Sequence, residues 1–168
     1  MRLIGKPAKI LFLNDHMNTL FRSLKDYKIY YKDVKKNIRN LIKININNKK
    51  KYDHLFRVAV NKKMISVSLR KRHNPKLNFK LKLINYKRID PEYKNLKYKK
   101  IISHLKKMDT SKSDIALYKD NKILETGTSN LLFIKNNKIY SPLNNFYKGT
   151  TYKFFKKQLK QIRRKDIT

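Results

Sequence analysis

The chain has 168 residues, 44 Lys+Arg against 11 Asp+Glu, and a formal net charge of +33 at pH 7. With 40% hydrophobic residues it can bury a core in one domain or two small lobes, and the charge taken alone points to a polyanion partner. The absence of cysteine excludes a disulfide framework and a thiolate metal site, no apolar run approaches the ~18 residues of a membrane span, and residues 1–15 lack the apolar stretch and cleavage site of a secretory signal, so a cytoplasmic protein is expected. The excess is lysine more than arginine, and Asn, Ile and Tyr are over-used with it. Codon bias toward A and T explains such a composition as well as selected anion binding does.

Residues 1–13 alternate weakly around Gly5-Lys6-Pro7 and predict a hairpin. Asn14 or Asp15 then caps a helix whose Met17, Leu20, Phe21 and Leu24 share one face. Asp33 caps a second helix carrying Val34, Ile38, Leu41 and Ile42, and 45–51 is a polar loop. The period becomes two at His54–Val60 and Met64–Arg70, with Val58, Val60, Ile65, Val67 and Leu69 on the apolar face. His73-Asn74-Pro75 breaks the pattern and divides the chain into lobes 1–74 and 75–168. Phe79, Leu81 and Leu83 alternate with lysines as a strand that Asp90-Pro91 closes. Helical spacing returns from Asn95 to Met108, followed by strands at 114–118, 122–125, 130–135 and 138–141 and a helix over 150–163 with Phe155, Leu159 and Ile162 inward. The fold class is α+β, two lobes sharing a cleft.

Three segments carry candidate chemistry. Glu125 is a lone carboxylate ahead of Thr126-Gly127-Thr128-Ser129-Asn130; it pairs with a lysine at a strand end, or it serves a ligand. Gly127 is one of only 3 glycines, which predicts positive φ or a close approach there. Gly149-Thr150-Thr151 opens a helix and reads as a plain N-terminus or as a phosphate cradle. Lys94 stands among too many lysines to be singled out by composition. His16, His54, His73 and His104 lack metal-ligand spacing, so no metal site is expected.

Taken in order, Lys94-x-Leu96-x-Tyr98, then Leu124-Glu125 followed by Ser129-Asn130, Ile139-Tyr140-Ser141-Pro142 and Gly149-x-Thr151 resemble the class IV, fold-type-IV pyridoxal-phosphate enzymes. These include branched-chain and D-amino-acid aminotransferases and 4-amino-4-deoxychorismate lyase. The upstream His16-x-x-Thr19-Leu20-x-x-Ser23 resembles the family's first helix. The resemblance implies a two-lobed D-amino-acid-aminotransferase-like fold, incomplete at both termini, with pyridoxal 5'-phosphate as cofactor. It implies that Lys94 forms the Schiff base and shuttles the substrate proton, which requires an amine neutral part of the time. Glu125 would face the pyridine nitrogen, Tyr98 the ring 3-oxygen, and Ser129 and Asn130 would lie near the ring. Gly149, Thr150 and Thr151 would hold the phosphate. A homodimer and a small amino-group substrate follow from the same likeness.

Two cations of the family pattern are missing: Thr19 and Tyr152 stand where arginines are usual, with Lys148 or Lys153 as substitutes. Short spacing and the Lys-x-Leu-x-Tyr form favour the lyase, which makes 4-aminobenzoate for folate synthesis, over an aminotransferase. The competing readings are an inactive remnant of the fold and a basic protein that binds nucleic acid through nonspecific charge.

Overall fold

Period-two alternation and two amphipathic helices build the first part of the chain. Strands β1 (Arg2–Gly5), β2 (Lys9–Ile10), β3 (Tyr52–Val60) and β4 (Ile65–Lys71) form an antiparallel sheet in the order β2-β1-β3-β4. Helices α1 (Leu13–Asp26) and α2 (Val34–Asn45) place Met17, Leu24 and Ile38 against Val58, Val60 and Ile65. Leu3, Tyr52 and Phe56 continue that core and meet α2 at Ile42. The expected caps differ in detail. Asn14 and Asp15 lie inside α1, whose cap position is held by Phe12 at φ 54°. Asp33 does precede α2, but at φ 52° its carboxylate makes no cap bond.

The computed structural model describes residues 1–72, 74–159 and 161–168. The chain divides into two units, Met1–His73 and Asn74–Thr168. His73, part of the expected boundary turn, and Lys160, part of the expected last helix, lie outside the described residues. No helix among the described residues is long and apolar enough to cross a membrane.

The second unit contains two three-stranded sheets. Strands β5 (Lys80–Asn85), β6 (Ser113–Lys119) and β7 (Lys122–Thr126) pair in that order. β5 and β6 run parallel, and α3 (Lys99–Leu105) makes the crossover between them. Its Ile101 seals Ile84, Ile115 and Leu117. Parallel pairing requires such a connection, because no tight turn can return the chain in the same direction. The second sheet has β8 (Phe133–Lys135), β9 (Lys138–Pro142) and β10 (Arg163–Lys165) in the order β10-β9-β8. Two hairpins close on Asp120-Asn121 and Asn136-Asn137, all four residues at φ between 49° and 57°. Consecutive left-handed residues twist a two-residue loop to match its strands, and Asn and Asp tolerate that region better than other non-glycine residues.

The expected strand at Phe79, Leu81 and Leu83 is β5; Leu81 and Leu83 are 46% and 59% exposed, and it is Ile84 that meets α3. Two expectations are corrected here. The helix expected from Asn95 starts only at Lys99. Asn95 is tied up in the preceding loop, donating to the Ile89 carbonyl at 2.9 Å and accepting from the Lys97 N–H at 2.9 Å. Such side-chain bonds compete with the first helical turn. The last helix, α4 (Thr150–Gln158), ends early. Its buried residues are Thr150 and Tyr152, Phe155 and Leu159 are exposed, and Ile162 is buried just before β10, which pairs in parallel with β9.

Ile115 is fully buried and Leu77 is 94% exposed. Ile115→Ala is therefore expected to cost about 2–5 kcal/mol in urea unfolding, against about 0.5 kcal/mol or less for Leu77→Ser.

Candidate active site

Glu125 lies on β7 opposite Leu117, beside an irregularity in the β6–β7 register at Leu117/Tyr118. Its carboxylate is 4% exposed, and the Arg88 Nε donates to Oε1 at 2.9 Å. Arg88 follows β5 by three residues, and its Nη2 also reaches the Gly127 carbonyl at 3.4 Å. The Tyr147 backbone N–H and Lys94 both lie near enough to draw the same carboxyl's proton affinity down. Burial pushes the Glu125 carboxyl above the ordinary glutamate range; Arg88, the Tyr147 N–H and Lys94 draw it back without cancelling the shift.

Lys94 is an exposed residue in the loop between β5 and α3. Its Nζ stands over the Tyr147 ring, 5.3 Å from the centroid. An ammonium is attracted to the electron-rich face of a phenol ring, so Tyr147 helps to hold Lys94 on the Glu125 side of the loop.

The turn after Glu125 organises the other candidates. Thr126 Oγ1 accepts the N–H of Thr128 at 3.2 Å and of Ser129 at 2.7 Å, while the Thr126 N–H meets the Ser129 carbonyl at 3.0 Å. Gly127 answers to close approach and not to positive φ: an added Cβ would lie 2.8 Å from Asp114 Oδ1 and 2.9 Å from Ile115 Cγ1. Asn130 ties this turn to the segment before α4. Its Nδ2 donates to the Tyr147 carbonyl and its Oδ1 accepts the Gly149 N–H at 3.1 Å.

Gly149 caps α4 and brings no side chain to the helix start; a Cβ there would sit 2.9 Å from Asn130 Oδ1. The first turn of a helix presents N–H groups to an anion, and a cap without a side chain leaves them approachable. Thr151 is exposed in that turn, and Lys148 and Lys153 flank it, both exposed. Thr150 is 9% exposed and packs inward.

Lys94, Glu125, Asn130 and Gly149 are thus brought together, all through Tyr147. Ser129 works chiefly through its backbone. Tyr98 sits at the start of α3, half-buried against Ile101, Ile115 and Leu117. Tyr152, where an arginine was expected, is a core residue: its hydroxyl lies 3.0 Å from Ser141 Oγ and its ring packs edge-on to Phe146.

Arg88, Asp114, Thr126 and Tyr147 were not anticipated. Arg88 had one visible signal, since it is among only 9 arginines in a chain that otherwise uses lysine. An Arg fork can bond two acceptors at once, which a lysine cannot do with the same geometry.

The residues fit pyridoxal phosphate. They combine a lysine amine, a buried carboxyl held near it, and an approachable helix start. The amino-transferase class IV family model matches residues 1–168. No curated protein is significantly similar in sequence. Among solved structures, a protein named as a 4-amino-4-deoxychorismate lyase from Haemophilus somnus 129PT shares 20% identity at TM-score 0.69, with 99% of this chain and 84% of that one covered. One named likewise from Legionella pneumophila Philadelphia 1 shares 17% at TM-score 0.74, covering 99% and 71%. The branched-chain aminotransferase of the archaeon Thermoproteus uzoniensis, solved with norvaline, shares 15% at TM-score 0.75, covering 99% and 67%. At such identities the structural likeness speaks for the fold, and the match over the whole chain speaks for the family: this chain belongs to the class IV aminotransferases.

Proposed function

We propose that the chain is a pyridoxal-phosphate-dependent enzyme acting on an amino-group substrate, with 4-amino-4-deoxychorismate lyase as the reaction. The observation that carries this reading is the buried Glu125 with Arg88 bonded to it and Lys94 within its electrostatic reach. The cofactor, when bound, supplies a conjugated ring that accepts the electron pair left when a substrate C–H or C–C bond breaks. Lys94 would provide the amine that holds the cofactor and would move the substrate proton. Glu125 would face the ring nitrogen, where its buried carboxyl, bonded by Arg88, could hold a proton away from solvent. Gly149, Thr151 and the start of α4 would receive the phosphate, with Lys148 and Lys153 as its cations. The lyase assignment rests on two neighbours with that name, and transamination is the second reading, supported by the likeness to the branched-chain enzyme.

Borohydride reduction of the protein mixed with pyridoxal phosphate, followed by peptide mapping, is expected to place the adduct on Lys94. Lys94→Ala should abolish it. Adducts scattered over surface lysines in both proteins would defeat the assignment.

Glu125 also predicts a pH dependence of stability. The folded carboxyl keeps its proton above the ordinary value of 4.5 at which an unfolded glutamate loses it. Between 4.5 and the raised midpoint the folded state binds more protons, so this group's contribution to stability falls as pH rises and levels off above that midpoint. The difference in unfolding temperature between wild type and Glu125→Gln, followed from about pH 4 to about pH 8, should therefore decline and then flatten.

A further inference from the structure

Only two of the 11 acidic residues are buried, Glu125 at 3% and Asp114 at 5% exposure, and both meet the same turn. Asp114 lies on β6. Its Oδ1 accepts the Ile115 N–H at 2.7 Å and its Oδ2 accepts the Thr128 hydroxyl at 2.6 Å. A carboxylate is costly to bury, and it is placed here where two neutral donors meet it. Its Oδ1 also lies where a Gly127 Cβ would point, and the Gly127 N–H is bonded to the Ile115 carbonyl at 3.0 Å. The turn is therefore gripped from β6 at two adjacent residues.

Two groups that act on Glu125 hang from this turn. Arg88 Nη2 rests on the Gly127 carbonyl while its Nε bonds the carboxylate. Tyr147, whose N–H acts on the carboxylate, is held by Asn130, two residues beyond Thr128. We propose that Asp114 is a positioning residue for Glu125: by fixing Thr128 and Gly127 it sets where Arg88 and Tyr147 meet the Glu125 carboxylate. The proposal deepens the reading above, since this carboxylate is the one assigned to the cofactor ring. Its test needs no cofactor and no turnover, so it stands or falls separately from that reading.

The chain contains only two glutamates, Glu92 and Glu125. Carboxyl-13C glutamate labelling of the apo protein therefore gives two titrating signals, with exposed Glu92 as internal reference and Glu125→Gln for assignment. Thr128 is exposed, and Thr128→Ala removes its hydroxyl without changing charge. Loss of the grip loosens Arg88 and Tyr147, both of which lower the Glu125 midpoint, so Thr128→Ala should shift that midpoint upward and leave Glu92 in place. Thr128→Ser, which keeps the hydroxyl, should titrate as wild type. Gly127→Ala, a wedge against Asp114, should shift it in the same direction. A Thr128→Ala midpoint equal to wild type would overturn the proposal, with or without a shift in Gly127→Ala, and so would a Thr128→Ser protein that titrates like Thr128→Ala.

Discussion

The second unit is arranged around the cost of burying one carboxylate. An ionised group moved out of water loses several kcal/mol of solvation, which a partner regains only with good geometry and with its remaining bonds satisfied. Glu125 meets those terms with a bond from Arg88 Nε and with the nearby Tyr147 N–H and Lys94 charge. Each of these groups comes from a different segment: the end of β5, the approach to α4, and the loop before α3. One carboxylate thus draws on three loops at once. Burial still outweighs the three, and the carboxyl keeps a raised affinity for its proton. A weaker set would leave it simply protonated. A stronger set would hold it ionised and unable to share a proton.

Position is supplied by backbone and not by the many charges. The β6–β7 pair carries Glu125, the irregularity at Leu117/Tyr118 falls beside it, and the turn that follows has no room for a side chain at residue 127. Asn130 spans from that turn to the start of α4, so the segment that would face the ring and the one that would face the phosphate share a single amide. The link fixes the separation of the two segments without relying on flexible side chains.

Much of this was legible in the sequence, and the limits have physical reasons. Strands and helices followed from periodicity, since each buries one face. The order Lys94, Glu125, Gly149-x-Thr151 carried the likeness to the family, because chemistry restricts those residue types. Arg88 was not legible: its role depends on a partner 37 residues away, and no local pattern encodes that contact. Asp114 resembled any acid beginning a strand. β10 was missed because Arg163-Arg164-Lys165 has no apolar alternation and looks like the solvated end of a helix. Leu81 and Leu83 revealed a two-faced strand, but alternation does not say which face is covered.

The chain's charge shows how little composition says about a site. Its many lysines sit mostly on exposed positions, where an ion pair is worth at most about 1 kcal/mol and placement is loosely constrained. Salt bridges such as Lys97–Asp90, with both partners substantially exposed, belong to that class. The charges that define the unit are those that cannot be exchanged for a lysine or moved by a residue. Arg88 needs its fork to bridge Glu125 and Gly127, and Glu125 needs its burial to keep its proton. Glycine is nearly as constrained. With so few glycines, Asn and Asp take over the left-handed turns, and Gly127 and Gly149 remain where lack of volume is the requirement. A surface so rich in lysine therefore leaves the candidate site recognisable, because that arrangement is specified by space, burial and hydrogen-bond geometry.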